Sequence, residues 1–140
     1  MHKKLLVAAL SAALLIPMGA HAKTLRWASQ GDILTLDPHA QNEGMTIAAS
    51  SYVYEPLVDY DKDFNLVPSL ATEWEPVSDT VWRFHLRKGV KFHDGADFTA
   101  EDVVFSINRA LAPTSNFKAY VNGIKNVRKI DDHTVEIEPD

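Results

Sequence analysis

Thr80–Val104, TVWRFHLRKGVKFHDGADFTAEDVV, carries the two patterns that decide the fold. Its first part alternates: Trp82, Phe84 and Leu86 fall on one side, Val81, Arg83, His85 and Arg87 on the other. A period of two with one aromatic face predicts a half-buried antiparallel strand over Thr80–Leu86. Lys91–Ala100 reads as a loop with Gly95 as its turn residue, and Gly89 fits a second tight turn that a side chain would strain. Thr99 and Asp102 then form a capping-box-like pair, with Asp102 also favourable at the positive end of a helix. Val103, Val104, Ile107, Ala110 and Leu111 recur at helical spacing, and Pro113 stops the run. A half-buried strand, a glycine-turned loop and a capped amphipathic helix in succession predict an α/β protein.

The flanking sequence repeats this grammar. Thr24–Ala28 alternates and predicts a first strand, ended at Gly31-Asp32. Leu36-Asp37-Pro38-His39 reads as extended or turn-like, because a residue before proline avoids the helical region. Met45–Tyr54 predicts a helix ended by Pro56, with Asn42 as the alternative N-cap in an ordinary reading of that start. Leu57–Tyr60 predicts a short strand with a turn at Asp61-Lys62-Asp63, and Pro68–Ala71 one helical turn. Thr72–Val77 predicts a strand joined through Ser78-Asp79 to the next. Asn126–Ile130 and Thr134–Ile137 predict a second hairpin around Asp131-Asp132. Trp74, Trp82 and Phe84 read as core rather than as a ligand cage. The chain stops at Glu138-Pro139-Asp140, just after a predicted strand, which reads as an unfinished terminus.

At 140 residues, 46% hydrophobic and 24% charged, the chain has the composition of a globular domain rather than of a disordered, collagenous or coiled-coil one. Lys and Arg number 14 against 19 Asp and Glu, a net charge of −5, which argues against a nucleic-acid partner. No cysteine is present, so the sequence excludes disulfides, cysteine-ligated zinc, iron–sulfur clusters, thiol catalysis and a lipid-modified cysteine anchor. Lys3 and Lys4 precede the apolar run Leu5–Ile16, and Ala20-His21-Ala22 is a small-x-small site, the pattern of a cleavable secretory signal over residues 1–22. The run is too short for a bilayer span of about 20 residues. Cleavage would leave 23–140 as an exported, still more acidic chain.

Chemistry is scarce. His85, His93 and Asp94 could frame a metal site, but their spacing matches no helical ligand pair and surface histidines account for them. Glu43, Glu55 and Asp94 are candidate acids without a diagnostic setting. Ser50, Ser51 and Ser106 lack a nucleophile elbow, and no phosphate-binding glycine motif occurs. Arg83 and Arg87 either hold an anion or form a solvated, ion-paired face. The residues alone therefore leave a secreted metal-dependent hydrolase and a small secreted scaffold domain open beside a binding protein.

An ordered series narrows this. Leu36-Asp37-Pro38-His39, Tyr54-Glu55-Pro56-Leu57-Val58, Val67-Pro68-Ser69-Leu70-Ala71, Trp74, Trp82-x-Phe84-x-Leu86-Arg87-x-Gly89-Val90-Lys91-Phe92-His93-Asp94-Gly95 and Phe98-Thr99-Ala100-x-Asp102-Val103 together resemble the N-terminal portion of the bacterial extracellular solute-binding proteins, family 5, of peptide and nickel type. The resemblance implies a two-lobed periplasmic-binding-protein fold (type II, cluster C-like) with a mixed sheet and flanking helices. Residues 23–140 would supply the first strand of the large lobe and most of an accessory subdomain, truncated. It implies ligand capture by lobe closure rather than catalysis, in the periplasm, by a monomer that delivers its ligand to a membrane ABC permease. The ligand would be peptide-like, with nickel, haem or opine ligands as the alternative. No catalytic residue, metal ligand or cofactor is implied. The acidic residue that takes a peptide amino group in the peptide branch lies beyond Asp140. Asn42, Glu43, Gly44 and Met45 correspond to a loop that lines the ligand cleft, with Gly44 admitting close backbone approach and Met45 an adaptable apolar contact.

Overall fold

The computed structural model describes Thr24, Arg26 and residues 28–140. The expected signal sequence over residues 1–22, and Leu25 and Trp27 of the expected first strand, lie outside the described residues. Gly31–Asp140 forms one compact unit.

Its elements are α1 (Gly44–Ser50), β1 (Val58–Tyr60), β2 (Leu66–Pro68), β3 (Ala71–Ser78), β4 (Val81–Leu86), α2 (Ala100–Leu111), α3 (Lys118–Val121), β5 (Ile124–Asp131) and β6 (Thr134–Pro139). β1 and β2 pair as a two-stranded sheet, and the other four strands form a sheet in the order β3-β4-β6-β5. All four pairings are antiparallel. Among the described residues no neighbouring strands pair in parallel, and strands with flanking helices make up the α/β architecture that the resemblance implies. Two of the connections are tight hairpins, and the excursion through α2 and α3 leads to β5, which runs in the same sense as β4 two places away and leaves β6 to fit antiparallel between them.

The register sorts the sheet into two faces. Trp74 of β3, Phe84 of β4 and Val135 of β6 lie in line on one, and Leu86 continues it. α2 covers this face with Ala100 and Val103, and Phe98 closes the cluster. The helix forms where it does because Thr99 is extended and Asp102 reaches back to accept the Thr99 amide at 2.8 Å. It ends at Leu111 before Pro113, as the sequence predicts. Trp82 departs from its expected core role: near the open end of β4, opposite Pro76 and Ile137, it is 41% exposed.

The other face is ionic. Glu75, Arg83, Glu136 and Arg128 form one row across all four strands. Glu136 is only 4% exposed because two guanidiniums cover it. Arg83 donates to Oε1 at 2.6 and 3.1 Å, and Arg128 to Oε2 at 2.8 Å through Nε and again through Nη2. The Arg83 hydrogen bonds first, then those of Arg128, hold the Glu136 carboxyl below its ordinary value of 4.5. Arg83 is thus ion-paired, as one of the two sequence readings has it. Arg87 is too, donating to the Ser69 carbonyl at 2.6 Å and lying 3.7 Å from Glu55.

Three local expectations need correction. The helix expected over Met45–Tyr54 runs Gly44–Ser50 and is capped by Glu43, not Asn42. Beyond Ser50 the amides of Tyr52 and Val53 bond only three residues back, and the Ser51 hydroxyl takes the Ala48 carbonyl, so the last turn tightens and stops. The helical turn expected over Pro68–Ala71 is instead the end of β2 and the start of β3. Pro68 is tolerated there because β2 is an edge strand. α3 escaped the sequence reading because Phe117 offers its start no side-chain cap.

Candidate functional site

The candidate loop, Asn42–Met45, follows a turn whose every bend is tied. The Thr35 hydroxyl accepts the Asp37 amide at 3.0 Å, and Asp37 Oδ1 accepts the His39 amide at 3.0 Å. Pro38 disfavours the helical region for Asp37. Arg109, in the last turn of α2, meets the Asp37 carboxylate with two prongs: Nη1 to Oδ1 at 2.8 Å and Nη2 to Oδ2 at 2.6 Å. Those hydrogen bonds, then that of the His39 amide, lower the Asp37 carboxyl to about 2. Nη1 also lies 3.3 Å from His39 Nδ1. A guanidinium can only donate, so this contact is a hydrogen bond when Nδ1 accepts, in the neutral ring with its proton on Nε2. Burial first, and the Arg109 charge second, push the His39 imidazole below its ordinary value, which favours the same form.

Further ties come from the far end of the chain. The Asn116 amide donates to the His39 carbonyl at 3.0 Å, and the Asn116 side chain donates to the Ala40 carbonyl. Phe117 packs tilted against His39 at 6.1 Å and against Tyr120 at 5.6 Å. Tyr120 donates to Asn42 Oδ1 at 3.2 Å, and Tyr54 to the Leu36 carbonyl at 2.7 Å.

Within the loop the four residues divide. Glu43 spends its carboxylate as a cap, accepting the Thr46 amide at 2.7 Å and the Met45 amide at 3.0 Å. A hydrogen bond from the Thr46 side chain leads, ahead of the Met45 and Thr46 amides, in holding this carboxyl below its ordinary value. Met45 is half-buried against Gly31, where an added Cβ would stand 3.3 Å from the Met45 Cβ. Thr46 is 1% exposed and its hydroxyl accepts the Leu34 amide at 3.2 Å, which anchors the helix start to the preceding strand-like segment. Asn42 and Gly44 are exposed, and open space surrounds the position of a Gly44 Cβ. Gly44, the first residue of α1, is thus exposed between the exposed Asn42 and the half-buried Met45. The loop offers no free carboxylate.

The other sequence candidates do not converge with it. His85 lies on the ionic face, 3.7 Å from Glu75. His93 is exposed, and Asp94 accepts the Ala96 amide at 2.9 Å to form the turn at Gly95, whose φ is +91°. Among the described residues, no three His, Asp or Glu side chains come together as metal ligands. A separate groove of about 560 Å³, lined by Tyr54, Leu57, Phe92, Phe98 and Ile107, is mainly apolar.

The sequence reading missed the residues that hold the loop. Arg109, Asn116 and Tyr120 lie more than 70 positions away from their partners. The one signal was a basic residue on the polar side of an amphipathic helix, which names no partner.

A scaffold of this shape, carrying the glycine-turned loop and capped helix of Trp82–Val103, has relatives. The family described as Bacterial extracellular solute-binding proteins, family 5 Middle, matches residues 65–140, more than half of the chain. The chain belongs to this family. It is 33% identical over 146 residues to the dipeptide-binding protein of Escherichia coli K12, covering 89% of this chain and 27% of that one. It is 38% identical over 111 residues to heme-binding protein A of Haemophilus influenzae, covering 64% and 20%. The solved structure of the Escherichia coli murein tripeptide binding protein MppA superposes with a TM-score of 0.70 at 31% identity, covering 76% and 25%. The family 5 chain described here spans about a quarter of the length of the curated relatives it matches. These relatives are named for what they bind, and their fold is the α/β periplasmic-binding-protein fold that the sequence resemblance implied.

Proposed function

We propose that this chain is the N-terminal part of a periplasmic solute-binding component of an ABC import system. It captures a peptide-like ligand without turnover and hands it to a membrane permease. The family match over residues 65–140 carries the reading. The site supports it. Asn42 is tied to Tyr120 and Met45 packs against Gly31, while the exposed Gly44 between them leaves room for a ligand to approach the backbone at the start of α1. Residues 1–22 act as the export signal, and 23–140 form the first strand of the large lobe and most of the accessory subdomain. With Glu43 spent as a helix cap, the loop recognises ligand backbone and side-chain surface, and a ligand cation is met elsewhere. The 38% identity to a heme-binding relative favours haem as the second ligand class.

Gly44→Leu tests the site directly. The space around Gly44 is open, so the variant folds as the parent does. The added side chain occupies the place of the ligand backbone. In the purified protein, titrated with trialanine, nickel–histidine and haemin, one probe binds the parent, is recovered unchanged, and binds Gly44→Leu at least about tenfold more weakly. Equal binding by Gly44→Leu removes the loop from the site, and hydrolysis of a probe refutes capture without turnover.

A further inference from the structure

We infer that Arg109 is a positioning residue for the candidate ligand loop: through its two-pronged pair with Asp37 it fixes where Asn42–Met45 stands relative to α2. The inference rests on the proposed reading of that loop for its consequence in binding, and on geometry alone for the positioning.

The geometry is specific. The two prongs, at 2.8 and 2.6 Å, define a plane and a distance, which a single-point contact does not. Asp37 uses the same Oδ1 to accept the His39 amide, so one carboxylate sets both the shape of the turn and its attachment. Arg109 Nη1 then reaches His39 Nδ1, and the Asn116 amide takes the His39 carbonyl from the other side. From His39 only Ala40 and Gln41 separate the tie from the loop, and Ala40 and Asn42 are themselves held by Asn116 and Tyr120.

Burial cannot substitute for these ties. Leu34 and Leu36 are 63% and 57% exposed, so the segment before the loop has little apolar area to hold it. Arg109 and Asp37 are themselves 40% and 36% exposed at the side chain, so solvent screens their contribution to overall stability. Such a pair selects among conformers of a short segment rather than holding the fold together. A ligand that binds one conformer gains affinity in proportion to how far that conformer is populated beforehand.

The test uses the whole purified protein in four forms: parent, Arg109→Ala, Arg109→Lys and Asp37→Asn. Asp37→Asn keeps an oxygen for the His39 amide while losing the charge and one acceptor. Amide hydrogen exchange is read at residues 36–46 and, as reference, at Val81–Leu86 and Val135. The expected result is exchange about tenfold faster at 36–46 in Arg109→Ala, intermediate in Arg109→Lys and Asp37→Asn, and unchanged at the reference strands. Equal acceleration at both places, or none at either, overturns the inference. A second arm measures trialanine binding. Where the parent binds, Arg109→Ala weakens binding about tenfold and Arg109→Lys recovers part of it, whereas unaltered binding overturns the inference. Where the parent does not bind trialanine, the peptide reading fails and the exchange arm decides the positioning role by itself.

Discussion

Two regions of the same unit are held by different forces. The sheet β3–β6 with α2 closes over an apolar cluster in which Ala71, Ala100 and Val135 are fully buried. The segment from Gly31 to Tyr54 buries almost nothing: only Thr46 is fully enclosed, and Ile33, Leu34, Leu36, Tyr52 and Tyr54 stand exposed. What holds it is a set of directed polar contacts to Arg109, Asn116 and Tyr120. Apolar burial is non-directional and scales with area, so it fixes a scaffold. Directed bonds cost little to rearrange at a surface, but they set position.

The comparison is broken most strongly from the scaffold side. Leu86→Ala removes a side chain packed between α2 and the neighbouring strands, and should cost about 2–5 kcal/mol in chemical denaturation, with the loss felt throughout the unit. A cost under about 0.5 kcal/mol would mean that the cluster does not organise the fold.

Thr99→Ala is the next step down. It deletes the hydroxyl that accepts the Glu101 amide at 3.3 Å, while Asp102 can still reach the Thr99 backbone amide. Loss of one half of the cap should cost about 1 kcal/mol, read in the same denaturation experiment. An unaltered midpoint would show that tertiary packing alone holds the start of α2.

Both of these residues could be picked from the sequence, because alternation at Trp82–Leu86 and the Thr99/Asp102 pair are local signals. The resemblance of Leu36–His39 and the residues after it made the loop a candidate. Its construction was not legible. No pattern within a window of residues links Asp37 to Arg109 or Asn42 to Tyr120, since each contact depends on how α2 and α3 are carried round by the fold. Glu43 shows the same limit at short range. A carboxylate one residue before a helix reads as a ligand-binding acid or as a cap, and only its two contacts, at 2.7 and 3.0 Å, assign it to the cap. Pro68 misled for a related reason: proline after an apolar pair suits a helix start as well as an edge strand, and the pairing with Val58 decided it.

The smallest effect is one of pH, and its first window, that of His39, belongs to the loop segment. His39 and Asp37 both have lowered values in the fold, so each favours folding in its deprotonated form. The stability each contributes is present above its ordinary value and is lost as pH falls through the folded one. For His39 the loss begins below 6.5, and for Asp37 it begins below 3.8 and runs to about 2. Thermal melts from about pH 8 to about pH 3 should fall slightly in the first window, and His39→Gln should abolish that early fall while leaving the later one. A fall of the same size in His39→Gln would place the titrating group elsewhere.

The central claim is capture of a ligand without chemistry. Native mass spectrometry of the whole protein, taken from the cell envelope without denaturation, tests it most directly. The account predicts one small molecule per protein, lost on unfolding and identical in mass to the same compound supplied fresh. A protein that carries no small molecule and takes up none of trialanine, nickel–histidine or haemin, or one that returns a cleaved compound, would contradict it.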